Sequence, residues 1–453
     1  ETISQKGYAI ANVAQKIFVH PQGGLEWAGF SSNLIFLKGM LDKLEIKPQI
    51  IYAGKFKSAT EPLRETQMTE ANRLQTSVWL GDLYNQFLYQ TAAARNLDTA
   101  LIRSLAVEGK IQTAADAVKY NLIDGLKYDD QIKNEITGRL NLPINSKINF
   151  IFFGEYAKSV TLDDYAVSEK IAVIYANGDI VGGAGTDEEV ASDDYKELIR
   201  KARLDKSVKA IVLRVNSPGG SALASDVIWR EVSLAKKEKP VIVSMGDVAA
   251  SGGYYIACNA NKVFANESTI TGSIGVFSII PNIESFLKNK IGITTDRVKT
   301  GPYADMGSMD RALTAPEIRF FQASTDSIYH TFKSRVSEGR KKNMEYVDSI
   351  AQGRVWTGSR GLAVGLVDEI GTLSDAIKAA AAMAKVKSYK LKEYPEKKNI
   401  LEQLFTNYKR NISMQLIESE LGPDQLMIMQ QFKKVKAMVG VPQAKLPYTV
   451  TVH

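Results

Sequence analysis

From residue 170 to residue 280 the chain alternates short apolar runs with longer amphipathic ones. Residues 170–175 (Lys-Ile-Ala-Val-Ile-Tyr), 210–215 (Ala-Ile-Val-Leu-Arg-Val) and 240–245 (Pro-Val-Ile-Val-Ser-Met) are brief and rich in β-branched residues. That length and composition predict strands buried on both faces. Residues 263–265 and 274–277 predict shorter strands. Between them, residues 193–203 and 224–235 have helical spacing, the second with Val227, Ile228, Val232 and Leu234 on one face. Strand, helix, strand, helix at this spacing predicts right-handed βαβ crossovers and a parallel sheet covered on both sides, an α/β fold. Residues 60–107 and 313–352 read as helical extensions. Their apolar faces carry Tyr84, Phe87, Leu88 and Tyr89 in the first and Phe320, Phe321, Ile328, Tyr329 and Phe332 in the second. Residues 375–385 form an Ala-rich helix. The tail, 391–453, reads as helical in part, with Pro442 and Pro447 near its end and no evident chemistry.

The pattern occurs twice. Gly7 to Phe18 (GYAIANVAQKIF) aligns with Gly253 to Phe264 (GYYIACNANKVF), an offset of about 246 residues that persists downstream. Gly109-Lys110 matches Gly353-Arg354, and Leu122-Ile123-Asp124-Gly125 matches Leu366-Val367-Asp368-Glu369. A first repeat is expected over 1–150, a second over 165–390 and a tail over 391–453. The join falls between 140 and 168, where Pro143, Asn145 and Lys147 interrupt the pattern. Glu1 aligns with Asp247, so the first copy has no counterpart to about residues 170–246. It is expected to be truncated at its front, with any N-terminal targeting or anchoring segment lost.

Composition adds little. The chain has 453 residues, 45% hydrophobic and 24% charged, with net charge +7, as in an ordinary globular protein. The basic excess reads as solvated helix faces or as contact with an anionic membrane surface. Lys and Arg are scattered and no nucleic-acid module is present, so no nucleic-acid partner is expected. One cysteine, Cys258, excludes an internal disulfide and a multi-cysteine metal site, and reads as a small buried hydrophobe. No window reaches the length of a membrane span.

Differences between the copies carry the candidate chemistry. Ser251 of the second copy faces Gln5 of the first, and Lys57 of the first faces Ala304 of the second. Ser251 follows a strand, lies among small residues (Ala-Ala-Ser251-Gly-Gly) and opens a helix. That setting gives a nucleophilic serine room for a carbonyl, with the Gly252 N–H beside it; it equally suits a serine that caps a helix. Asn216-Ser217-Pro218-Gly219-Gly220-Ser221 is a second strand-to-helix turn, read either as an oxyanion pocket or as a plain tight turn. The three histidines, His20, His330 and His453, sit in contexts that do not suggest catalysis. The remaining base is a lysine made neutral by burial. Lys57, after the strand 49–53, is the candidate, against the alternative of a surface lysine. Ser273, in Thr271-Gly272-Ser273-Ile274-Gly275, could orient the amine or be an ordinary serine at a strand entry. No metal or cofactor is called for.

At these residues the chain resembles the signal peptide peptidase A (protease IV) family in its long, two-repeat bacterial form. The carriers are Lys57-Ser58-Ala59 with Glu61-Pro62, the Asn216–Ser221 and Ala249–Tyr254 motifs, Thr271–Gly275, and Gln352-Gly353-Arg354-Val355-Trp356-Thr357-Gly358. The resemblance implies tandem Clp-protease/crotonase-like repeats. It implies Ser251 as nucleophile, Lys57 as general base, Ser273 supporting the lysine, and the N–H groups of Gly220 and Gly252 as oxyanion donors. It also implies remnant signal peptides as substrates, a homo-oligomer (a tetramer), and anchoring in the bacterial inner membrane with the catalytic part outside. Two other readings of the residues are a crotonase-type acyl-CoA enzyme, which would need a carboxylate near the Gly-Gly turn, and a catalytically silent membrane-associated scaffold.

Overall fold

A computed structural model describes residues 2–144, 146–159, 167–396 and 438–446. The chain forms two compact units. One comprises residues 1–33, 76–164 and 450–453; the larger comprises 34–75 and 165–449. The unit boundary crosses the repeat boundary: residues 34–75, which include Lys57, belong to the first repeat by sequence and to the larger unit by packing.

The larger unit is built on a sheet with the order Val355–Thr357, Ile270–Gly272, Val241–Ala250, Val208–Ser217, Lys170–Asn177 and Lys390–Tyr394. Lys262–Ala265 also pairs with Val241–Ala250 and links Glu369–Ile370 to the sheet. Every pairing is parallel except that of Val355–Thr357. The apolar runs work as the pattern requires. Successive side chains point to opposite faces, so Ile171 and Val173 pack with Val212, Ile242, Ala376 and Ala380 on one side. Ala172 and Ile174 pack on the other with Ile211, Leu213, Ile199, Ile228 and Val232. The last three come from the helices Ser192–Leu204 and Ala222–Glu238.

A second sheet in this unit has the order Lys47–Ala53, Val276–Asn282, Gln443–Lys445, Gly219–Ser221, Asp179–Val181 and Glu189–Ala191. Lys47–Ala53 runs antiparallel to Val276–Asn282 over seven register pairs, from Ala53 opposite Val276 to Lys47 opposite Asn282. This pairing holds the first-repeat segment in the larger unit. The tail, expected to be helical in part, contributes two strands among its described residues. Lys390–Tyr394 and Gln443–Lys445 are strands, because each lies along a strand whose backbone needs a partner. Residues 397–437 and 447–453, with Pro447 and His453 among them, lie outside the described residues, as does Asn145 at the expected join.

The smaller unit holds two short parallel pairs, Thr2–Ile3 with Gly24–Leu25 and Phe18–Val19 with Gly125–Leu126. Its core gathers Tyr8, Trp27, Phe87, Leu88, Ile102, Leu105, Leu122 and Ile123. The repeat reappears in its hydrogen bonds. Tyr8 Oη donates to the Leu122 carbonyl, and Tyr254 Oη donates to that of Leu366. Ile17 N donates to Asp124 and Val263 N to Asp368, at 2.9 and 2.8 Å. Arg95 pairs with Asp124 as Arg340 pairs with Asp368. Among the described residues no helix is long and apolar enough to cross a membrane.

Candidate active site

Ser251 stands where the strand Val241–Ala250 ends and the helix Gly252–Ala257 begins. Its backbone has φ 55° and ψ −114°, outside the regions open to L-residues without strain. Its N–H donates to the Gly272 carbonyl at 2.8 Å, and its own carbonyl accepts from Tyr255 N. The hydroxyl makes no capping hydrogen bond to the helix behind it, so the helix-cap reading is corrected. The turn is tight against its surroundings. A Cβ on Gly253 would lie 2.5 Å from the Ser217 carbonyl oxygen, so this helix can start here only on glycine.

Lys57 reaches the same place from the other side. It follows the strand Lys47–Ala53 and has φ −75° and ψ 78°, with Ser58 N donating to the Phe56 carbonyl at 2.9 Å. Those values define an inverse γ-turn with the lysine at its apex. The turn is held by neighbours on both flanks. Phe56 N donates to the Gln352 carbonyl at 2.7 Å. Gln75 Nε2 donates to the Phe56 carbonyl and to Ser58 Oγ, while its Oε1 accepts from Val355 N. Gly353 packs directly on the lysine: a Cβ there would lie 2.6–2.7 Å from Lys57 N, Cα and Cβ, and Gly353 has φ +73°. Buried Glu61 fixes the following turn, accepting from Thr69 N, Thr69 Oγ1 and Asn72 Nδ2.

The Lys57 side chain is 1% exposed. Its Nζ lies 2.8 Å from Ser251 Oγ and donates to the Ser273 carbonyl at 3.1 Å and to Ser273 Oγ at 3.1 Å. Burial alone pushes its pKa well below the ordinary lysine value of 10.5, with no nearby charge contributing. Three polar neighbours suit a neutral amine. Two N–H bonds go to Ser273, and the lone pair faces Ser251, whose hydroxyl can then donate. Ser273 itself has φ +51° and donates its N–H to the Arg354 carbonyl at 2.7 Å. The structure therefore brings Ser251, Lys57 and Ser273 into one buried cluster.

Gly252 follows Ser251 directly. Gly219, with φ +94°, approaches it so closely that a Cβ on Gly219 would lie 2.6 Å from Gly252 N. Gly219 N donates to Ser217 Oγ at 3.2 Å, and Gly220 lies in the strand Gly219–Ser221 opposite Ala444. His330 lies in the helix Ala315–Arg340, and His20 lies in the smaller unit, where its Nδ1 accepts from Gln22 N. Cys258 is buried and free. In the first copy, Gln5 takes the place of Ser251 and is bound to backbone: its Oε1 accepts from Ala28 and Gly29 N, and its Nε2 donates to the Gly29 carbonyl.

Sequence reasoning missed Gln75, the packing role of Gly353, and Ala444. Gly353 stood within a recognised motif, and its repetition at Gly109 was the available signal. Nothing in the sequence marks Gln75 or Ala444.

The family model for peptidase family S49 matches residues 1–142 and 233–387, and that for Clp protease matches 164–270. Protease 4 of Salmonella typhi is 37% identical over 428 residues, covering 92% of this chain and 68% of that protein. Protease 4 of Haemophilus influenzae is 36% identical over 390 residues, covering 84% and 63%. The chloroplastic serine protease SPPA of Arabidopsis thaliana is 33% identical over 390 residues, covering 84% and 57%. The chain thus spans between 57 and 68% of the lengths of these three relatives.

Proposed function

The chain belongs to peptidase family S49 and with it to the serine peptidases, and we propose that it cleaves peptide bonds with Ser251 as nucleophile and Lys57 as general base. The observation that carries this reading is the 2.8 Å separation of a fully buried lysine nitrogen and a hydroxyl that has no capping bond. Neutral Lys57 takes the Ser251 proton as Oγ attacks the scissile carbonyl carbon. The oxyanion is held by the N–H groups of Gly220 and Gly252. Lysinium then protonates the leaving amine as the C–N bond breaks. Lys57 next takes a proton from water, which attacks the acyl-enzyme and releases the acid, and the proton returns to Ser251. Ser273 holds the amine through two acceptors and fixes the direction of its lone pair.

The substrates we infer are short, apolar, unfolded peptides, cleaved signal peptides among them. The setting we infer is a homo-oligomer, a tetramer, at the outer face of the bacterial inner membrane. The resemblance carried by the Lys57, Ser251 and Gly-rich motifs supports both.

Labelling with a fluorophosphonate serine-hydrolase probe tests the pair. Wild type should label at Ser251, and Ser251→Ala and Lys57→Ala should not. Equal labelling of all three proteins would remove the assignment.

A further inference from the structure

The strand Gly219–Ser221 lies beside the nucleophile turn and has a neighbour on each side. Asp179–Val181 pairs with it in parallel. Gln443–Lys445 pairs with it antiparallel, with Gly219 opposite Lys445, Gly220 opposite Ala444 and Ser221 opposite Gln443. Beyond both ends the ladder continues: Leu446 N donates to the Pro218 carbonyl at 2.7 Å, and Ala222 N donates to that of Pro442 at 3.1 Å. In an antiparallel ladder, bonded and non-bonded pairs alternate. With 218/446 and 222/442 bonded, Gly220 and Ala444 are the bonded pair between them, and the Gly220 N–H meets the Ala444 carbonyl. That carbonyl also borders the serine turn. Its oxygen lies 2.1 Å from where a Cβ on Gly219 would stand and 3.0 Å from where one on Gly252 would stand. A peptide carbonyl of the chain itself therefore stands against both glycines assigned to the oxyanion.

We propose that residues Gln443–Lys445 are an internal occupant of the substrate strand and compete with peptide substrates for Ser251. The proposal rests on the Ser251–Lys57 reading above. Strand addition is a general way to bind an extended peptide: main-chain bonds supply affinity, and alternate side chains enter pockets. The segment has this character. Gln443, Ala444 and Leu446 are buried, and Lys445 Nζ pairs with Asp179 at 2.6 Å. On its far side it bridges to Val276–Asn282 at Gln443 opposite Phe277, and Gly440 N donates to the Ile279 carbonyl at 3.1 Å. It thus fills a slot one strand wide between two strands of the larger unit. Because it is tethered, it acts at high effective concentration. A site open in a tenth of the molecules shows about a tenfold higher apparent KM than one always open.

The test uses the full chain with two substitutions made separately. Ala444→Pro removes the N–H that bonds Gly220, and Lys445→Glu sets a carboxylate against Asp179. KM and kcat on a fluorogenic apolar peptide are measured, with the rate of fluorophosphonate labelling and the binding of a fluorescent peptide of sequence 438–446. Occupancy requires KM to fall, by about tenfold where the wild-type site is open in a tenth of the molecules, labelling to speed up by a similar factor, and the peptide to bind both variants more tightly than wild type and inhibit them competitively. Should Ala444→Pro fail to fold, Lys445→Glu gives the same readings. Folded variants with unchanged or higher KM, or with labelling no faster than wild type, would overturn the proposal and make the segment part of the site's framework. Absence of labelling in wild type and variants alike would remove the Ser251 reading and this one with it. Peptide binding confined to the variants would meanwhile still show that the strand slot had been vacated.

Discussion

Lys57 Nζ lies 2.8 Å from Ser251 Oγ, although the two residues are 194 positions apart in the sequence. The contact is made inside one compact unit, although the two residues come from different copies of the repeat. It exists because Lys47–Ala53 is paired to Val276–Asn282, which brings a first-repeat turn to the floor of the second repeat.

Replacing Lys57 by arginine should be as damaging as replacing it by alanine. A guanidinium stays charged and offers no lone pair to the serine. Loss of the base should lower kcat/KM by about 10²–10⁴-fold, measured on a fluorogenic peptide with folding checked by circular dichroism. A Lys57→Arg enzyme at wild-type rate would exclude proton transfer to residue 57.

Activity should rise with pH along a limb set by Lys57. In the proposed mechanism the neutral amine is the active form, and burial moves its pKa well below 10.5. The acid limb of the kcat/KM profile should therefore lie far below the ordinary lysine titration. A limb centred at 10.5 would mean that the amine is hydrated in solution.

Stability should carry the same signature. A lysine neutral in the native state and charged when unfolded makes unfolding take up a proton below 10.5. Stability should therefore increase with pH from the lowered native value up to 10.5, then level off. Lys57→Met, similar in shape and uncharged, should be more stable than wild type near neutrality by about 1 kcal/mol. Denaturant unfolding at several pH values should show that gap closing toward 10.5.

Gly353→Ala should disable the enzyme without touching a reacting group. The added methyl would meet Lys57 backbone at 2.6–2.7 Å, at a residue with φ +73°. Backbone strain of this kind costs about 1–3 kcal/mol, and the lysine turn must shift. Gly301→Ala, which meets nothing within 4 Å, is the control and should leave Tm and rate unchanged.

Ser273→Ala should lower kcat and leave KM in place. It removes one of two acceptors that hold the amine, while the Ser273 carbonyl remains. Loss of an acceptor for the charged form should also move the acid limb to lower pH. An unchanged profile with unchanged kcat would make Ser273 a packing residue.

Much of the fold was legible because the central strands are buried on both faces. The runs at 170–175 and 210–215 could hardly be anything else, and they appear as Lys170–Asn177 and Val208–Ser217. Val241–Ala250 is longer than its apolar run, because the backbone continues past Gly246-Asp247 with a shift of register between Met245 and Ala249. The meeting of Ser251 and Lys57 was legible for a different reason: each copy lacked what the other had, and no histidine offered an alternative. The unit boundary was not legible, since the pairing of 47–53 with 276–282 leaves no local trace. Nor was Gln443–Lys445, three residues whose strand conformation comes from the strands on either side rather than from their own propensity.

The partner strand of Lys47–Ala53 ends at Asn282, and this has a meaning for the newborn chain. Synthesis runs from the N-terminus at about 5–20 residues per second. The lysine turn emerges many seconds before the strand that will bury it. Until then the amine is solvated and holds its proton at cellular pH, and Ser251, even once made, has no contact with it. The contact between Ser251 and Lys57 therefore exists only once residues 276–282 have been made and have paired with 47–53.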